Sequence, residues 1–232
     1  MRVALIAAVI TAAIGAAAAA QAPQFQPAAK LAAPPAPAGD VRPGVIAFSG
    51  ENHIIGLSAG GGESLSTRVS FWRAVYSPVG TGRVCFVTAD LTGDGPSKDD
   101  LRMAYADNEQ LESYLAADIM PVLEPSPSAG PMHWTRATFS QSGDTRTEWR
   151  ETIRADATVI ELVWRQFLRP FLIDKPMGDP KMPYGITSMF LPARTADVIV
   201  NGVRVAGSAH PRLRGATPSS SAFLAFSETW LR

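Results

Sequence analysis

Several short stretches of this sequence carry residue types that could do chemistry, and their spacing decides how far each can be taken. Gly56-Leu57-Ser58-Ala59-Gly60 matches the G-x-S-x-G pattern of serine hydrolases. That chemistry needs the serine on a sharp strand-to-helix turn above a parallel sheet. Here Gly61-Gly62-Glu63 follow, and then a strand pattern instead of a helix, so the stretch reads as a glycine-rich loop. Asp90, Thr92, Asp94 and Gly95 echo the first half of a calcium loop, but Leu101 stands where the bidentate acid belongs. Asp99 and Asp100 could add oxygen ligands, while a turn capped by Asp side chains is the default. His53, His133 and His210 show neither H-x-H nor H-x-x-x-H spacing, so no zinc site is read from them. No glycine-rich phosphate loop follows a strand and opens a helix, and no cofactor is expected.

What remains is a charged and aromatic constellation: Trp149, Arg150, Glu161, Arg165, Glu228 and Trp230. Glu–Arg pairs facing each other across strands can be structural and worth little when exposed. Lining a cavity, they could orient a polar head while the aromatic rings hold an apolar body. In the last strand pattern Ala222, Leu224, Phe226, Glu228 and Trp230 share one face. The opposite face is smaller and less apolar, so Glu228 is expected to point into the core with Arg150 or Arg165 as its partner. In the longest pattern Val159, Glu161, Val163, Arg165 and Phe167 share a face, and either that face or the one bearing Ile160, Leu162 and Trp164 could be inward.

The elements that must position these groups read mainly as strands. Val45 to Phe48 and His53 to Leu57 flank a turn-rich Ser49-Gly50-Glu51-Asn52; Arg68 to Tyr76 and Arg83 to Ala89 follow, parted by Pro78, Gly80 and Gly82. One helix, capped by Asp107 or Asn108, carries Leu111, Tyr114, Leu115 and Ile119 at helical spacing and stops at Pro121. Trp134 to Gln141 and Thr145 to Arg154 flank a hairpin loop, Thr158 to Leu168 is the longest strand, and the proline-rich stretch from Pro170 to Pro183 is a loop. Val198-Ile199-Val200 and Val203-Arg204-Val205 bracket Asn201-Gly202, which suits a type I′ hairpin turn. Ala222 to Leu231 is the last strand.

Composition sets the frame. Arg2, the uncharged run from Val3 to Ala20 and the small residues Ala18-Ala19-Ala20 read as a signal peptide over residues 1–20, cleaved before Gln21; the alternative is an uncleaved anchor. Residues 21–43 are a Pro/Ala-rich tail too poor in large apolar groups to be expected to order, and 44–232 make a single domain. The expected location is therefore periplasmic or secreted, with no membrane span left after signal removal. With 21 Lys+Arg against 21 Asp+Glu and no basic block, a nucleic-acid partner is not expected. Cys85 is the only cysteine, so no intrachain disulfide can form, and its apolar neighbours Val84, Phe86 and Val87 make it a buried thiol.

Nine or ten short strands and one helix, joined mostly by short turns, point to an antiparallel meander closing into a barrel, with a β-sandwich as the alternative. The architecture resembles the lipocalin-type up-and-down barrel of exported ligand carriers. That resemblance implies a small amphipathic ligand bound without catalysis. Two other readings stand beside it: a barrel isomerase, hydratase or hydrolase using Glu228 or Glu161 as general acid or base, and an outer-membrane barrel, which the helix and prolines disfavour.

Overall fold

The structure is a computed structural model describing residues 45–60, 62–94, 101–123, 132–177 and 183–232. The signal-peptide and tail readings, and part of the Asp90–Asp100 loop, lie outside those residues.

The chain is mainly β. Strands β1 (Ile46–Leu57), β2 (Thr67–Tyr76), β3 (Gly82–Ala89) and β4 (Leu101–Ala106) form an antiparallel meander. Helix α1 (Glu109–Tyr114) follows, then a π-helical turn (Leu115–Ile119) and a last α turn (Met120–Leu123). Strands β5 (His133–Arg136), β6 (Thr138–Gly143), β7 (Glu148–Ala155) and β8 (Thr158–Phe167) come next. The 16-residue β10 (Gly185–Val200) pairs with β8 along its second half and with β9 (Phe171–Lys175) along its first. Strand β11 (Val203–Arg204) closes a hairpin on β10, β12 (Pro211–Arg214) and β13 (Thr217–Ser220) form a separate two-stranded sheet, and β14 (Ala222–Leu231) lies between β10 and β1.

The large sheet runs β5-β4-β3-β2-β1-β14-β10-β8-β7-β6, so its two edges are consecutive in the chain and joined through Ala137. It is thereby nearly closed into a barrel, which removes exposed edges. The pair at one edge is parallel: β5 returns beside β4 after the helix, and the Ala137 N–H donates to the Ala106 carbonyl at 2.8 Å.

Alternation along the strands sorts the side chains into an interior and an outer wall. Phe71, Val87, Ile153, Leu162, Trp164, Val198 and Leu224 meet in one interior cluster fed from most of the strands. The barrel is filled by side chains, and the Trp164 indole N–H donates across it to the Ile54 carbonyl at 3.0 Å. On the outer wall Leu111, Leu115 and Ile119 of the helix cover Phe48, Trp72, Val84 and Ala104. Asn108 caps that helix, accepting from the N–H groups of Gln110 and Leu111, and the Tyr114 hydroxyl donates to Ala47.

Several local expectations are corrected. Ser49 to Asn52 is no turn but the middle of one 12-residue strand, with register shifts absorbing the irregularity. Within the proline-rich stretch Phe171–Lys175 is a strand, since Pro170 and Pro176 flank it and leave its donors free. The helix passes Pro121, because the π-helical turn before it changes the local hydrogen bonding. The Asn201-Gly202 turn is as expected: both residues have positive φ, 50° and 81°, and Val200 pairs with Val203.

Candidate functional site

The six residues singled out from the sequence separate into three places. Arg150, Glu161 and Arg165 stand on the outer wall, because Ile160, Leu162 and Trp164 of β8 are the inward face. There they form an ion-pair ladder with neighbouring strands. Arg150 binds Glu148 at 2.8 Å and Glu161 at 3.0 Å, while Arg165 binds Glu148 at 2.6 Å and Asp197 at 2.5 Å; Arg204 also pairs with Asp197. Glu148, Arg150, Glu161 and Arg165 are partly exposed, Asp197 is buried, and each acid is paired with at least one arginine.

Trp149 points into the barrel, and around it lies a polar group of the interior that sequence reasoning missed. The Trp149 indole donates to Glu151 at 3.0 Å. His53 is fully buried, boxed by the rings of Phe71, Trp149, Trp164 and Phe226 at 5.1–5.8 Å. Its Nδ1 accepts from the Ala225 N–H at 3.3 Å, so Nε2 carries the proton. Burial, aided by Arg73, drives the His53 pKa down to about 3, so the ring is neutral. Burial pushes Glu151 up to about 7, with the Trp149 donor opposing and Glu51 adding to the rise. The signal was present: Glu51, His53, Ile55 and Leu57 alternate in phase, as do Trp149, Glu151, Ile153 and Ala155. Reading Ser49 to Asn52 as a turn broke the first of these patterns.

Glu228 and Trp230 occupy the third place. Glu228 is buried, at 2% exposure, yet it does not face the barrel interior. Ala222, Leu224 and Phe226 are inward, but Ser227 takes φ of 51° and adds a residue opposite β10, where the register slips between Thr187 and Met189. This bulge reverses the alternation, so Glu228 and Trp230 emerge on the outer wall. Arg150 and Arg165 are not its partners, since β8 and β14 are separated by β10 and both arginines are engaged in the ladder. Instead Trp230 Nε1 donates to Glu228 at 2.7 Å and Asn52 Nδ2 at 3.3 Å. Ser70 and the Trp72 indole extend the chain of bonds, at 3.4 Å to Asn52 and 2.8 Å to Ser70. Burial raises the Glu228 pKa against these donors.

Glu228 lines a groove of about 570 Å³ on the outer wall. One side is aromatic: Phe190 of β10 and Phe223 of β14 stack at 4.4 Å, and the Arg214 guanidinium lies 4.8 Å above Phe190 and 5.2 Å above Phe223. Ile54, Ile173 and Leu123 extend the apolar lining, and Arg68, Lys175 and Arg212 add cationic groups. A wider cleft of about 1050 Å³ flanks the same β12–β13 hairpin, lined by Leu168, Arg194, Pro211 and Leu213 among others. Its lining has no aromatic ring. The smaller groove, with a buried acid, aromatic rings and several cations, is the candidate site.

The described parts of the other motifs lie in local structure, while Gly95, Asp99 and Asp100 of the calcium-like loop lie outside the described residues. Ser58 is buried at the end of β1, bridged to Ser208 and not placed on a strand-to-helix turn. Asp90 accepts from the Gly93 N–H at 2.6 Å, closing a local turn. His53, His133 and His210 stay apart, and among the described residues no group of three or more His, Cys, Asp or Glu could hold a metal ion. Cys85 is buried in the interior, where desolvation raises its thiol pKa and leaves it unreactive. No protein-family model matches the chain, and a search of curated proteins returns no match.

Proposed function

We propose that this is an exported protein that binds a small amphipathic molecule without catalysis, and that the outer groove holds the ligand. The observation that carries the reading is the groove in which Arg214, seated on the buried Phe190–Phe223 stack, and the buried Glu228 stand beside half-buried Ile54, Ile173 and Leu123: apolar surface and a few placed polar groups meet in one concavity. The carrier role implied by the lipocalin-type resemblance is kept, while the ligand moves from the barrel lumen to its outer wall. Export rests on Arg2 and the Ala18–Ala20 pattern alone.

Native mass spectrometry of protein recovered from an exporting host tests both halves. The expected result is a chain beginning at Gln21 with a bound small amphipathic molecule, which Phe223→Ala releases. A molecule retained in Phe223→Ala but lost on truncation inside the barrel would move the site to the lumen. Glu228→Gln separates binding from catalysis, because it keeps the shape and removes the proton carrier. Affinity is expected to change only moderately; a fall in conversion of the bound molecule of roughly 10²–10⁴-fold at unchanged affinity would make Glu228 a general acid or base.

A further inference from the structure

The charge of the groove narrows what it takes. We propose that the occupant is a single-chain amphiphile with an anionic head, the head held by Arg212 and Arg214 and the chain lying along the half-buried Ile54, Ile173 and Leu123. This rests on the reading of the groove given above.

Arg212 and Arg214 stand two residues apart on β12, so both project to one side, and both line the groove. Among the described residues neither forms an ion pair. Arg212 Nε donates only to a neutral acceptor, His210 Nε2, at 3.0 Å, and Arg214 lies on the two phenyl rings. Lys175 on β9 adds a third cation. The one carboxyl group in the lining that faces Arg214 is Glu228, already engaged by Trp230 and Asn52.

Arg212 and Arg214 are both exposed, with Arg214 lying over the two phenyl rings and Arg212 held by His210. Burial and the charge of Arg212 both lower the proton affinity of Arg214, and burial moves Glu228 toward its neutral form. Glu228 opposes the lowering at Arg214, yet the lining sets the exposed Lys175, Arg212 and Arg214 against this one acid. A carboxylate or phosphate head supplies oxygens that match the guanidinium forks and removes the repulsion between them. Ile54, Ile173 and Leu123 beside them have no polar group to satisfy, so the part of the ligand that lies on them is apolar.

Calorimetry on the whole processed protein tests this with dodecanoate, dodecyl phosphate, dodecanol, dodecyltrimethylammonium and inorganic phosphate. The two anionic amphiphiles are expected to bind at least about tenfold more tightly than dodecanol, the size of one charge-assisted hydrogen bond. Arg212→Gln and Arg214→Gln should each remove about tenfold from the anions and leave dodecanol unchanged, with Arg214→Lys in between. Circular dichroism confirms that each variant folds, and the two arginines give independent tests. Dodecanol or the ammonium amphiphile binding as tightly as the anions would overturn the anionic head, as would unchanged anion affinity in both glutamine variants. Inorganic phosphate binding as tightly as dodecyl phosphate would remove the chain and leave a phosphate site. Binding of none of the four amphiphiles would overturn the groove reading itself.

Discussion

The same pair of side chains occurs on both sides of the barrel wall, and its surroundings differ. Inside, the Trp149 indole donates to Glu151 two residues on; outside, the Trp230 indole donates to Glu228 two residues back. Both acids are buried and both have raised proton affinity because of burial. Around Glu151 the space is taken by His53 and a box of aromatic rings. Around Glu228 there is a groove with cations on its walls. A buried acid with a tryptophan donor is thus no sign of function by itself; the two sites differ in the free volume and the cations beside the acid. Where the volume is filled, the acid is expected to act on stability, and where it is open, its proposed part is in binding.

Truncation is the sharpest way to break this comparison. Trp164 is fully buried and bonded across the barrel, so Trp164→Ala should cost about 3–5 kcal/mol in chemical denaturation. Phe223 is nearly as buried, but it packs in a small outer cluster with Phe190 and Ala225 under Arg214, so Phe223→Ala should cost somewhat less. Equal losses would make the groove aromatics part of the core.

Acid should act through the interior. His53 titrates at about 6.5 when unfolded and about 3 in the fold. The unfolded state therefore binds the extra proton first, and stability present above pH 6.5 is lost as pH falls toward 3, by a few kcal/mol. Denaturation midpoints between pH 7 and 3 measure this, and His53→Phe should remove the fall below pH 4.5. A wild-type midpoint that does not fall below pH 4.5 would show that His53 is not held neutral.

Glu151 works in the opposite direction. Its folded pKa of about 7 exceeds the ordinary 4.5, so the fold binds the proton more tightly. Its contribution is complete below pH 4.5 and is lost as pH rises to 7, on the order of 3 kcal/mol at most. Between pH 4.5 and 6.5 the two groups offset each other. Glu151→Gln should raise stability at pH 8, while ligand affinity in the groove stays as it was. A variant that weakens ligand binding instead would tie the interior acid to the site.

The smallest effect belongs to the outer ladder. Arg165→Gln removes two ion pairs at partly exposed sites and should cost about 1 kcal/mol or less, shrinking further in high salt. A loss of several kcal/mol, insensitive to salt, would mean that the ladder is effectively buried.

Much of the fold was legible because its signals are local. Thr67–Tyr76, Gly82–Ala89 and Ala222–Leu231 follow period-two patterns, Asn201-Gly202 sits in the turn its φ preferences demand, and Asn108 caps the helix it precedes. Strand β4 was missed because Leu101–Ala106 follows a loop rich in Gly, Asp and Pro and is too short to stand out. Of the six residues read as a site, Glu228 and Trp230 line the groove, and the other four do not.

By itself, the sequence determined that the chain is mainly β with one helix, that no intrachain disulfide can form, and which residues could carry charge beside aromatic rings. Those properties depend on composition and on neighbours within a few positions. Only the tertiary structure decided which side of the wall each residue faces. One residue added at Ser227 reverses the face of everything after it, and a one-residue shift is invisible to a pattern of period two. The groove likewise joins Phe190, Arg214 and Glu228 from three separate strands, and no spacing within any one of them could have announced it.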